Sequence, residues 1–600
     1  MRTRQLSPVV FGSLSHPLAG FYHSPSARSR GLGVVLCNPL GYEAMCVHRT
    51  YRELAERLSS RGFPALRFDY DGTGDSSGPW DAPDRVRAWV ASIGAAVAEI
   101  RARAGVSRVA LVGVRFGAAL AFLAAKDDDT IDGLVAWAPV VSGRAYVREL
   151  RALKMVKATK TTNVRRNDGG EEVEGYVFSR DTLADLNAVD LAAAGGDHVI
   201  KRVLVLPRDD SPGQEGGFVL HLKQRDVDVK VASESGYARM MRDPFDSVVP
   251  SVTLDAIVDW LGAWAPSEDA STETAPWAAP ARAAVMAISP RAGEPPLTET
   301  PLFFGDHDRL FGVVTDPTIE VPSERPGVCF LNVGSNHHIG PHRMYVDLAR
   351  EIASRGYRTF RFDVGGLGDS PAITEAGENR LYSEEQVADV KSAMTCLENL
   401  RGTRRFVLVG LCSGAYLAFR AAVEDSRVCG QVLLSPHAFE WKEGDSVEPV
   451  TREKAAKVYG SNRYYVRALL DRSVWRRALK GRVDLRGIAA IVLKRASGKA
   501  RVGMVSLGAR LRGQPEPRND VERAFGALCD RGAESLIALS SDDGGLDMIG
   551  RYLGDEAAKM KGRKNFSLEI LEGTDHTFTP VGAQRVLREM VASFVTQRCS

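Results

Sequence analysis

Short apolar runs rich in β-branched residues alternate with longer amphipathic stretches along this chain. In the first half the apolar runs are GVVLCN, PALRFDY, RVALVGV and GLVAWAP. Between the first two lies HRTYRELAERLSSRG, which places Tyr51, Leu54, Ala55 and Leu58 on one face of a helix. Continuous apolar strands separated by helices are typical of a parallel sheet that is covered by helices on both faces. The pattern therefore predicts an α/β fold with a mostly parallel sheet.

The second half of the chain repeats this order of elements. The segment that begins at Asn38 matches the segment that begins at Asn332, and each contains RFD followed by a glycine-rich turn that ends in GDS. Farther along, Gly113 matches Gly410. These matches predict two tandem α/β domains. Their spacing along the chain is far too long for a solenoid repeat.

A segment without an apolar period separates the two copies. Residues 265–296 are rich in Ala, Pro, Ser and Thr, which is typical of a linker. The predicted domains are therefore residues 1–264 and 297–600. The second domain carries a long insertion, at about 438–534, that is rich in Trp, Tyr and Arg. We expect this insertion to form a cap over a site.

The bulk composition narrows the functional classes. A chain of 600 residues exceeds what one hydrophobic core usually organises, and its 78 basic and 75 acidic residues leave a net charge of only +3. We therefore predict a small-molecule substrate and no nucleic-acid partner. No membrane span is expected, because apolar runs of the needed length are missing from the sequence. Eight cysteines without CxxC spacing indicate a reduced, cytoplasmic protein.

The sequence GLCSG in the second half follows an apolar run and precedes a helical stretch. This is the spacing of a nucleophile elbow, a tight turn that exposes the residue between two glycines. Cys412 occupies that position and is the predicted nucleophile. Ser413 follows it, and its backbone N–H is predicted to donate to an oxyanion. The second oxyanion donor is expected from the loop after CFLN, at Gly334 or Ser335.

An acid and a histidine are expected farther along the chain, in the order nucleophile, acid, histidine. Asp542 and Asp543 both follow the apolar run SLIALSS, and we choose Asp543 because it lies where the loop begins. His576 is the only histidine after the cap, and it lies in a polar turn before the last helical stretch. A thiol activated by an imidazole, which a carboxylate orients in turn, is a common nucleophile arrangement. Cys412, Asp543 and His576 are therefore the predicted catalytic residues.

Three further histidines are predicted to contact substrate. His337 and His338 lie beside the predicted oxyanion loop, and His437 follows the end of an apolar run. The sequence NHHIGPH also suggests metal ligands, but no carboxylate or cysteine shares a ligand spacing with its histidines. We therefore predict neither a metal nor another cofactor.

The first half has lost the parts that the second half keeps. Arg115 stands at the nucleophile position in GVRFG, and a guanidinium stays protonated and cannot attack a carbonyl. The late segment of this half, ASESGYARMMRDPFDSVVP, contains no histidine. We predict that this domain is a folded support. The alternative is that Arg115 binds a carboxylate or a phosphate of a substrate or carrier.

These motifs resemble those of the serine-aminopeptidase-like (S33-type) and exosortase-associated hydrolase families of bacteria. The shared segments are LRFDYDGTGDSSG and GVRFGA in the first half, and RFDVGGLGDSP, GLCSGA, SLIALSSDDGGLD and GTDHTF in the second. The resemblance implies two tandem α/β-hydrolase domains, and in these families a serine elbow implies ester, thioester or peptide hydrolysis. The chain departs from that pattern at Cys412 and at Arg115.

The residues and the resemblance together predict acyl transfer through a thioester on Cys412. With water as acceptor, the protein is an esterase or a thioesterase. With an alcohol or an amine as acceptor, it is an acyltransferase or a cyclising enzyme of bacterial secondary metabolism. The acyl donor is expected to be a small-molecule ester or thioester, either free or held by CoA or a carrier protein. The competing hypothesis is a non-catalytic tandem pseudo-hydrolase that acts as a binding or scaffolding module.

Overall fold

The computed structural model describes residues 6–157, 169–195, 198, 200–232, 235–264, 285–288, 295–372, 377–441 and 519–599. Contacts between Cα atoms divide the chain into two compact units. The first is Met1–Val321 with Ser335–Asn379, and the second is Pro322–Gly334 with Arg380–Ser600. The first unit therefore includes residues on both sides of the predicted linker. Most of that linker, and residues 442–518 of the predicted cap, lie outside the described residues.

The first half of the chain contains ten strands among the described residues. They are β1 (Leu6–Gly12), β2 (Pro17–His23), β3 (Leu32–Cys37), β4 (Ala65–Phe68), β5 (Arg108–Val114), β6 (Ile131–Trp137), β7 (Glu171–Val173), β8 (Tyr176–Phe178), β9 (Arg202–Leu206) and β10 (Asp228–Val231). Eight of them form one sheet in the order β1-β2-β4-β3-β5-β6-β9-β10, and β7 pairs with β8. From β4 to β10 all neighbours are parallel, whereas β1–β2 and β2–β4 are antiparallel. The predicted mostly parallel sheet is confirmed.

Helices cover both faces of this sheet. They are α1 (Tyr42–Ser60), α2 (Arg85–Ala104), α3 (Phe116–Ala125), α4 (Gly143–Lys157), α5 (Arg180–Ala188), α6 (Gly216–Gln224), α7 (Tyr237–Met240) and α8 (Ser251–Trp264). Successive residues of β3 point to opposite faces, as strand geometry requires. Val35 and Cys37 pack into a core with residues of α2 and α3, whereas Val34 and Leu36 pack with residues of α1 and α8. Burial on both faces explains why this strand is apolar throughout.

The repeated sequence continues with a repeated strand arrangement. The next elements are β11 (Met286–Ile288), β12 (Leu297–Phe304), β13 (Leu310–Pro317), β14 (Gly327–Leu331), α9 (Met344–Ser354) and β15 (Thr359–Phe362). In the first unit, β12 pairs antiparallel with β13, and β13 pairs antiparallel with β15. This is the pairing of β1, β2 and β4 in the first half. The duplication therefore includes the antiparallel hairpin that precedes the parallel strands.

Among its described residues, the second unit contains five parallel strands. Its remaining elements are α10 (Glu384–Arg401), β16 (Phe406–Leu411), α11 (Ser413–Glu424), β17 (Val428–Leu434), α12 (Asp520–Asp530), β18 (Glu534–Ser540), α13 (Gly545–Leu553), β19 (Phe566–Leu571) and α14 (Val581–Arg598). Strands β14, β16, β17, β18 and β19 pair in that order, and every pair is parallel. The loops after parallel strands meet at one edge of a sheet. Cys412, His437, Asp543 and His576 all lie in such loops.

The two RFD…GDS segments contact each other inside the first unit. Arg67 of the first copy donates a hydrogen bond to Asp369 of the second copy at 2.7 Å, between Nη2 and Oδ1. Arg361 of the second copy donates in the same way to Asp75 of the first. All four side chains are at least nine-tenths buried. The arginine of each copy therefore forms an ion pair with the corresponding aspartate of the other copy.

The glycine-rich turn of each copy has a structural role. Asp69 accepts the N–H of Asp75 at 3.0 Å, and Asp363 accepts the N–H of Asp369 at the same distance. Gly74 in the first turn has φ of 48°, and a Cβ atom there would lie 2.0 Å from Cγ of Asp69. The aspartate of RFD therefore closes the turn, and the turn tolerates only glycine at this close approach.

Candidate active site

A strained elbow places Cys412 between a strand and a helix. Strand β16 ends at Leu411 and α11 begins at Ser413, and Cys412 between them has φ of 56° and ψ of −111°. Such a conformation costs a residue other than glycine about 1–3 kcal/mol. A Cβ atom at Gly410 would lie 2.1 Å from the carbonyl oxygen of Gly414, so the spacing of the two glycines follows from a close backbone approach. The predicted elbow is therefore formed as a strand–turn–helix.

Asp543 and His576 lie in contact at the same sheet edge. His576 Nδ1 is 2.8 Å from Asp543 Oδ2. The Asp543 carboxylate is completely buried, and its Oδ1 accepts the backbone N–H of Gly545 at 2.7 Å. Of the two carboxylates considered in the sequence, Asp543 rather than Asp542 is the one that the structure brings to His576.

Electrostatic effects link His576 with Asp543 and with the neighbouring Cys412. Burial alone would lower the pKa of His576, but the charge of Asp543, the proximity of Cys412 and the hydrogen bond with Asp543 raise this pKa well above its ordinary value. Burial alone would raise the pKa of Asp543, but the charge of His576 and hydrogen bonds from two histidines hold this pKa well below its usual range. The ionised forms of the histidine and the acid are therefore stabilised together.

His437 contacts the same carboxylate from a neighbouring loop. Its Nε2 atom is 3.2 Å from Asp543 Oδ1 and 3.0 Å from His576 Nδ1. The sequence analysis expected His437 to contact substrate and did not connect it with the acid. A signal was present, since His437 follows β17 and Asp543 follows β18, and these two strands are parallel neighbours.

The predicted oxyanion donors have different surroundings. Ser413 is the first residue of α11, and the first N–H groups of a helix lack intrahelical acceptors. The N–H of Gly334 donates to the Ser413 hydroxyl at 2.8 Å, so this donor is already engaged. Ser335 belongs to the first unit, where its buried hydroxyl oxygen has no hydrogen-bond partner among the described residues.

An aromatic side chain that the sequence analysis missed lies beside the nucleophile. The hydroxyl of Tyr382 is 4.0 Å from Cys412 Sγ. Tyr382 stacks on Trp441, with ring centroids 4.3 Å apart and an angle of 13° between the planes. Tyr382 lies in a loop before α10, well upstream of the elbow, so the sequence gave no signal for its contact with Cys412.

His337 and His338 lie in the first unit. His338 Nε2 is 2.7 Å from Asp75, and its Nδ1 is 2.9 Å from Asp363. Burial lowers the pKa of His338, but the charges of these two carboxylates outweigh it and raise the pKa to about 10. His337 stacks on His48 at 4.0 Å, and burial with the neighbouring histidines lowers the pKa of His337 well below its ordinary value. Both ring nitrogens of His338 are thus engaged with carboxylates rather than open to a substrate.

Arg115 occupies an elbow of the same shape in the first half. It has φ of 55° and ψ of −122°, close to the values at Cys412. Its Nε donates to Glu43 at 2.9 Å and its Nη2 donates to Glu149 at 2.5 Å. A cavity of about 370 Å³, including space open to solvent, lies beside it and is also lined by Tyr146. Because two carboxylates already neutralise the guanidinium, these contacts favour the support role over binding of an anion.

Two groups of side chains in the described part of the chain have the composition of metal sites. The ligand atoms of His437, Asp543 and His576 lie within 4.8 Å of one another, and so do those of a second group, His338, Asp363 and Asp369. In each group the histidines are hydrogen-bonded to the carboxylates.

Comparison with known proteins shows which family these features resemble. The sequence profile described as serine aminopeptidase, S33 matches residues 45–183 and 323–479. Both matched regions of this chain resemble the S33 serine aminopeptidase family. Each matched region contains one elbow, with Arg115 in the first and Cys412 in the second, whereas Asp543 and His576 lie beyond the second region. These matches and the mostly parallel sheet give the chain an α/β-hydrolase fold.

Solved structures that the chain resembles are α/β-hydrolases of about half its length. Est1E from Butyrivibrio proteoclasticus is 15% identical over 42% of this chain and 97% of its own, with a TM-score of 0.31. Proline iminopeptidase from Mycobacterium smegmatis is 15% identical over 44% of this chain and 100% of its own, with a TM-score of 0.30. The esterase Pf2001 from Pyrococcus furiosus is 15% identical over 44% and 93%, with a TM-score of 0.30. No curated protein matches the chain.

A search of the described helices for membrane-crossing segments found none with sufficient length and apolar character.

Proposed function

We propose that the protein is an acyl-transfer enzyme with Cys412 as nucleophile, His576 as base and Asp543 as the acid that orients the base. The observation that carries the proposal is the 2.8 Å contact of His576 with a buried Asp543, together with the raised pKa of His576, to which the elbow residue Cys412 contributes. A buried carboxylate that holds an imidazole against a thiol is the arrangement that activates cysteine nucleophiles.

The chemistry follows from the roles of the two histidine nitrogens. Nδ1 of His576 is held by Asp543, which leaves Nε2 to exchange a proton with Cys412 Sγ. A raised His576 pKa favours the imidazolium beside a thiolate, which is the reactive form of cysteine. Sγ attacks the carbonyl carbon of the donor, and the bond from that carbon to the leaving oxygen or sulfur breaks. His576 protonates the leaving group, so that a thioester on Cys412 remains.

The second step transfers the acyl group to an acceptor. His576 accepts a proton from water, an alcohol or an amine as that nucleophile attacks the thioester, and the Cys412 thiolate then leaves. The match to a hydrolase family supports water as the acceptor. The cysteine supports an amine or an alcohol, since a thioester reacts readily with such nucleophiles when water is excluded. The proposed donor is an ester or a thioester of a small molecule, CoA or a carrier protein.

The first half is proposed to support the fold without catalysing the reaction. Its elbow residue Arg115 is not a nucleophile, and Glu43 and Glu149 occupy the guanidinium. On this assignment residues 1–264 are the degenerate hydrolase domain, and 297–600 are the active one.

Intact-protein mass spectrometry tests the proposal. Incubation with p-nitrophenyl acetate, acetyl-CoA and an acetylated carrier protein should add one acetyl group to the wild-type protein, and Cys412→Ala should abolish the addition. Iodoacetamide should alkylate Cys412 faster than the other seven cysteines. If no donor acylates Cys412 and its alkylation rate equals that of the other cysteines, the non-catalytic binding module becomes the better description.

A further inference from the structure

One of the two loop positions predicted to donate to an oxyanion at Cys412 is already engaged. An acyl-enzyme of this fold uses the N–H after the nucleophile and a second N–H from the loop after an early strand. Here the loop N–H, at Gly334, donates to the Ser413 hydroxyl at 2.8 Å. Ser413 can therefore donate its own N–H at the start of α11, but its hydroxyl already accepts the N–H of Gly334. With the Gly334 N–H engaged, another hydrogen-bond donor near Cys412 would complete the pair.

The Tyr382 hydroxyl lies where such a donor is needed. It is 4.0 Å from Cys412 Sγ, and the oxygen of an acyl group attached to that sulfur lies closer to Sγ than this distance. A hydroxyl at this position can reach the developing oxyanion, which requires a donor at about 2.7–3.1 Å. A phenol carries the proton that it donates at neutral pH.

The backbone and the neighbouring rings fix this hydroxyl. Tyr382 has φ of 63°, a left-handed conformation that is strained for a tyrosine. Its ring is 7% exposed, stacks on Trp441 at 4.3 Å and meets the edge of Tyr416 at 5.2 Å. A strained backbone conformation of this kind persists only where the surrounding structure holds the residue in place, and such residues cluster at functional sites. The three rings therefore preorganise the hydroxyl before substrate arrives.

We propose that Tyr382 is a catalytic residue whose hydroxyl donates a hydrogen bond to the oxyanion formed on Cys412. As Sγ bonds to the carbonyl carbon, the carbonyl π electrons move onto oxygen, and the Tyr382 O–H and the Ser413 N–H both donate to it. The phenol keeps its proton, and the electrons return when the leaving group departs. This inference rests on the proposed function, since it requires an acyl-enzyme on Cys412.

The first test removes the hydroxyl and keeps the ring. Tyr382→Phe preserves both ring contacts, and we expect it to lower the rate of the nitrophenolate burst from p-nitrophenyl acetate by about 10²-fold, with KM little changed. Tyr416→Phe is the matched control, because its hydroxyl accepts from Arg420 at 3.4 Å and lies in the same aromatic group. The control should keep a burst rate within about twofold of wild type.

The second test separates an oxyanion donor from a residue that only shapes the site. Sulfur accepts hydrogen bonds weakly, so p-nitrophenyl thionoacetate, with C=S in place of C=O, gains little from the hydroxyl. Tyr382→Phe should therefore lose about 10²-fold on the oxo ester and less than about fivefold on the thiono ester. Both substrates are assayed on one preparation, so their ratio does not depend on the fraction of protein that is folded. Equal losses on the two esters, or no loss on the oxo ester, overturn the inference.

The outcomes for the two proposals are distinguishable. If wild-type protein is acetylated no more than Cys412→Ala, the proposed function is wrong, and this inference is rejected with it. Wild-type protein that is acetylated at Cys412, with an unchanged burst in Tyr382→Phe, leaves the proposed function intact and rejects the role of Tyr382.

Discussion

Replacing Asp543 by asparagine should disable the proposed base while leaving the fold in place. The carboxylate is completely buried, and it accepts from His576 at 2.8 Å through Oδ2 and from the N–H of Gly545 at 2.7 Å through Oδ1. A backbone N–H can only donate, so the amide oxygen of the asparagine must remain beside Gly545. The amide NH₂ then faces His576 Nδ1, which must become an acceptor. The neutral imidazole consequently carries its proton on Nε2 and cannot take one from Cys412.

The magnitude follows from this loss of the correct tautomer and of the neighbouring charge. In triads of this kind an asparagine lowers kcat by about 10⁴, and we expect kcat/KM of Asp543→Asn to fall by about 10³–10⁴, equivalent to about 4–5.5 kcal/mol of transition-state stabilisation. Because the charge of Asp543 is what chiefly raises the pKa of His576, the variant should also have a lower His576 pKa. The histidine would then lose its proton at a lower pH than in wild type.

Stopped-flow measurement of nitrophenolate release from p-nitrophenyl acetate, at several pH values, gives both quantities. Asp542→Asn is the matched control, since it changes the neighbouring carboxylate and keeps the contact of Asp543 with His576, and it should stay within about threefold of wild type. If Asp543→Asn kept more than about a tenth of the wild-type rate while Cys412→Ala was inactive, Asp543 would not orient the base. If the Asp542 variant were the more damaged of the two, the acid would be Asp542.

Three further outcomes are expected. His437→Ala removes a hydrogen bond to the Asp543 carboxylate and should lower kcat/KM for p-nitrophenyl acetate by about tenfold. An unchanged value would mean that His437 does not support the triad. Arg115→Ser in a Cys412→Ala background should create no acyl-enzyme detectable by mass spectrometry, because the late segment of the first half supplies no histidine. Its melting temperature should fall, because the partly buried Glu43 loses its ion pair with Arg115 and Glu149 keeps only the one with Arg208. The folded pKa of His338 is about 10, and the pKa of an unfolded histidine is about 6.5, so the ion pairs of His338 stabilise the fold fully below pH ~6.5 and lose this effect as pH rises towards 10. His338→Gln should therefore lower the melting temperature more at pH 6 than at pH 10. An equal effect at both pH values would contradict the ion pairing.

Local patterns in the sequence were sufficient for the fold and for the elbow. The alternation of apolar runs and amphipathic stretches reports directly which backbone segments are buried on two faces and which on one, so the parallel strands β3 to β6 could be located. The spacing of Gly410 and Gly414 around Cys412 records a close approach within one turn, and such an approach depends only on neighbours in the chain. The long distance between repeats likewise excluded solenoid architectures.

Contacts between distant loops could not be obtained in the same way. The sequence left Asp542 and Asp543 open, and the turn after β18, in which Asp543 accepts the N–H of Gly545, brings Asp543 to His576. The approach of Tyr382 to Cys412 depends on a left-handed backbone angle and on stacking between side chains, neither of which has a sequence period.

The sequence by itself determined two α/β-hydrolase copies, one elbow with a thiol and one with a guanidinium. Those features are local, because strand, turn and helix formation depends on residues that are near one another in the chain. Only the tertiary structure decided that Arg67 and Arg361 bind the aspartates of each other's repeat, that His437 shares Asp543 with His576, and that the Gly334 N–H is bound by Ser413. These contacts join residues from separate loops, and their partners are selected by burial and charge where the loops meet.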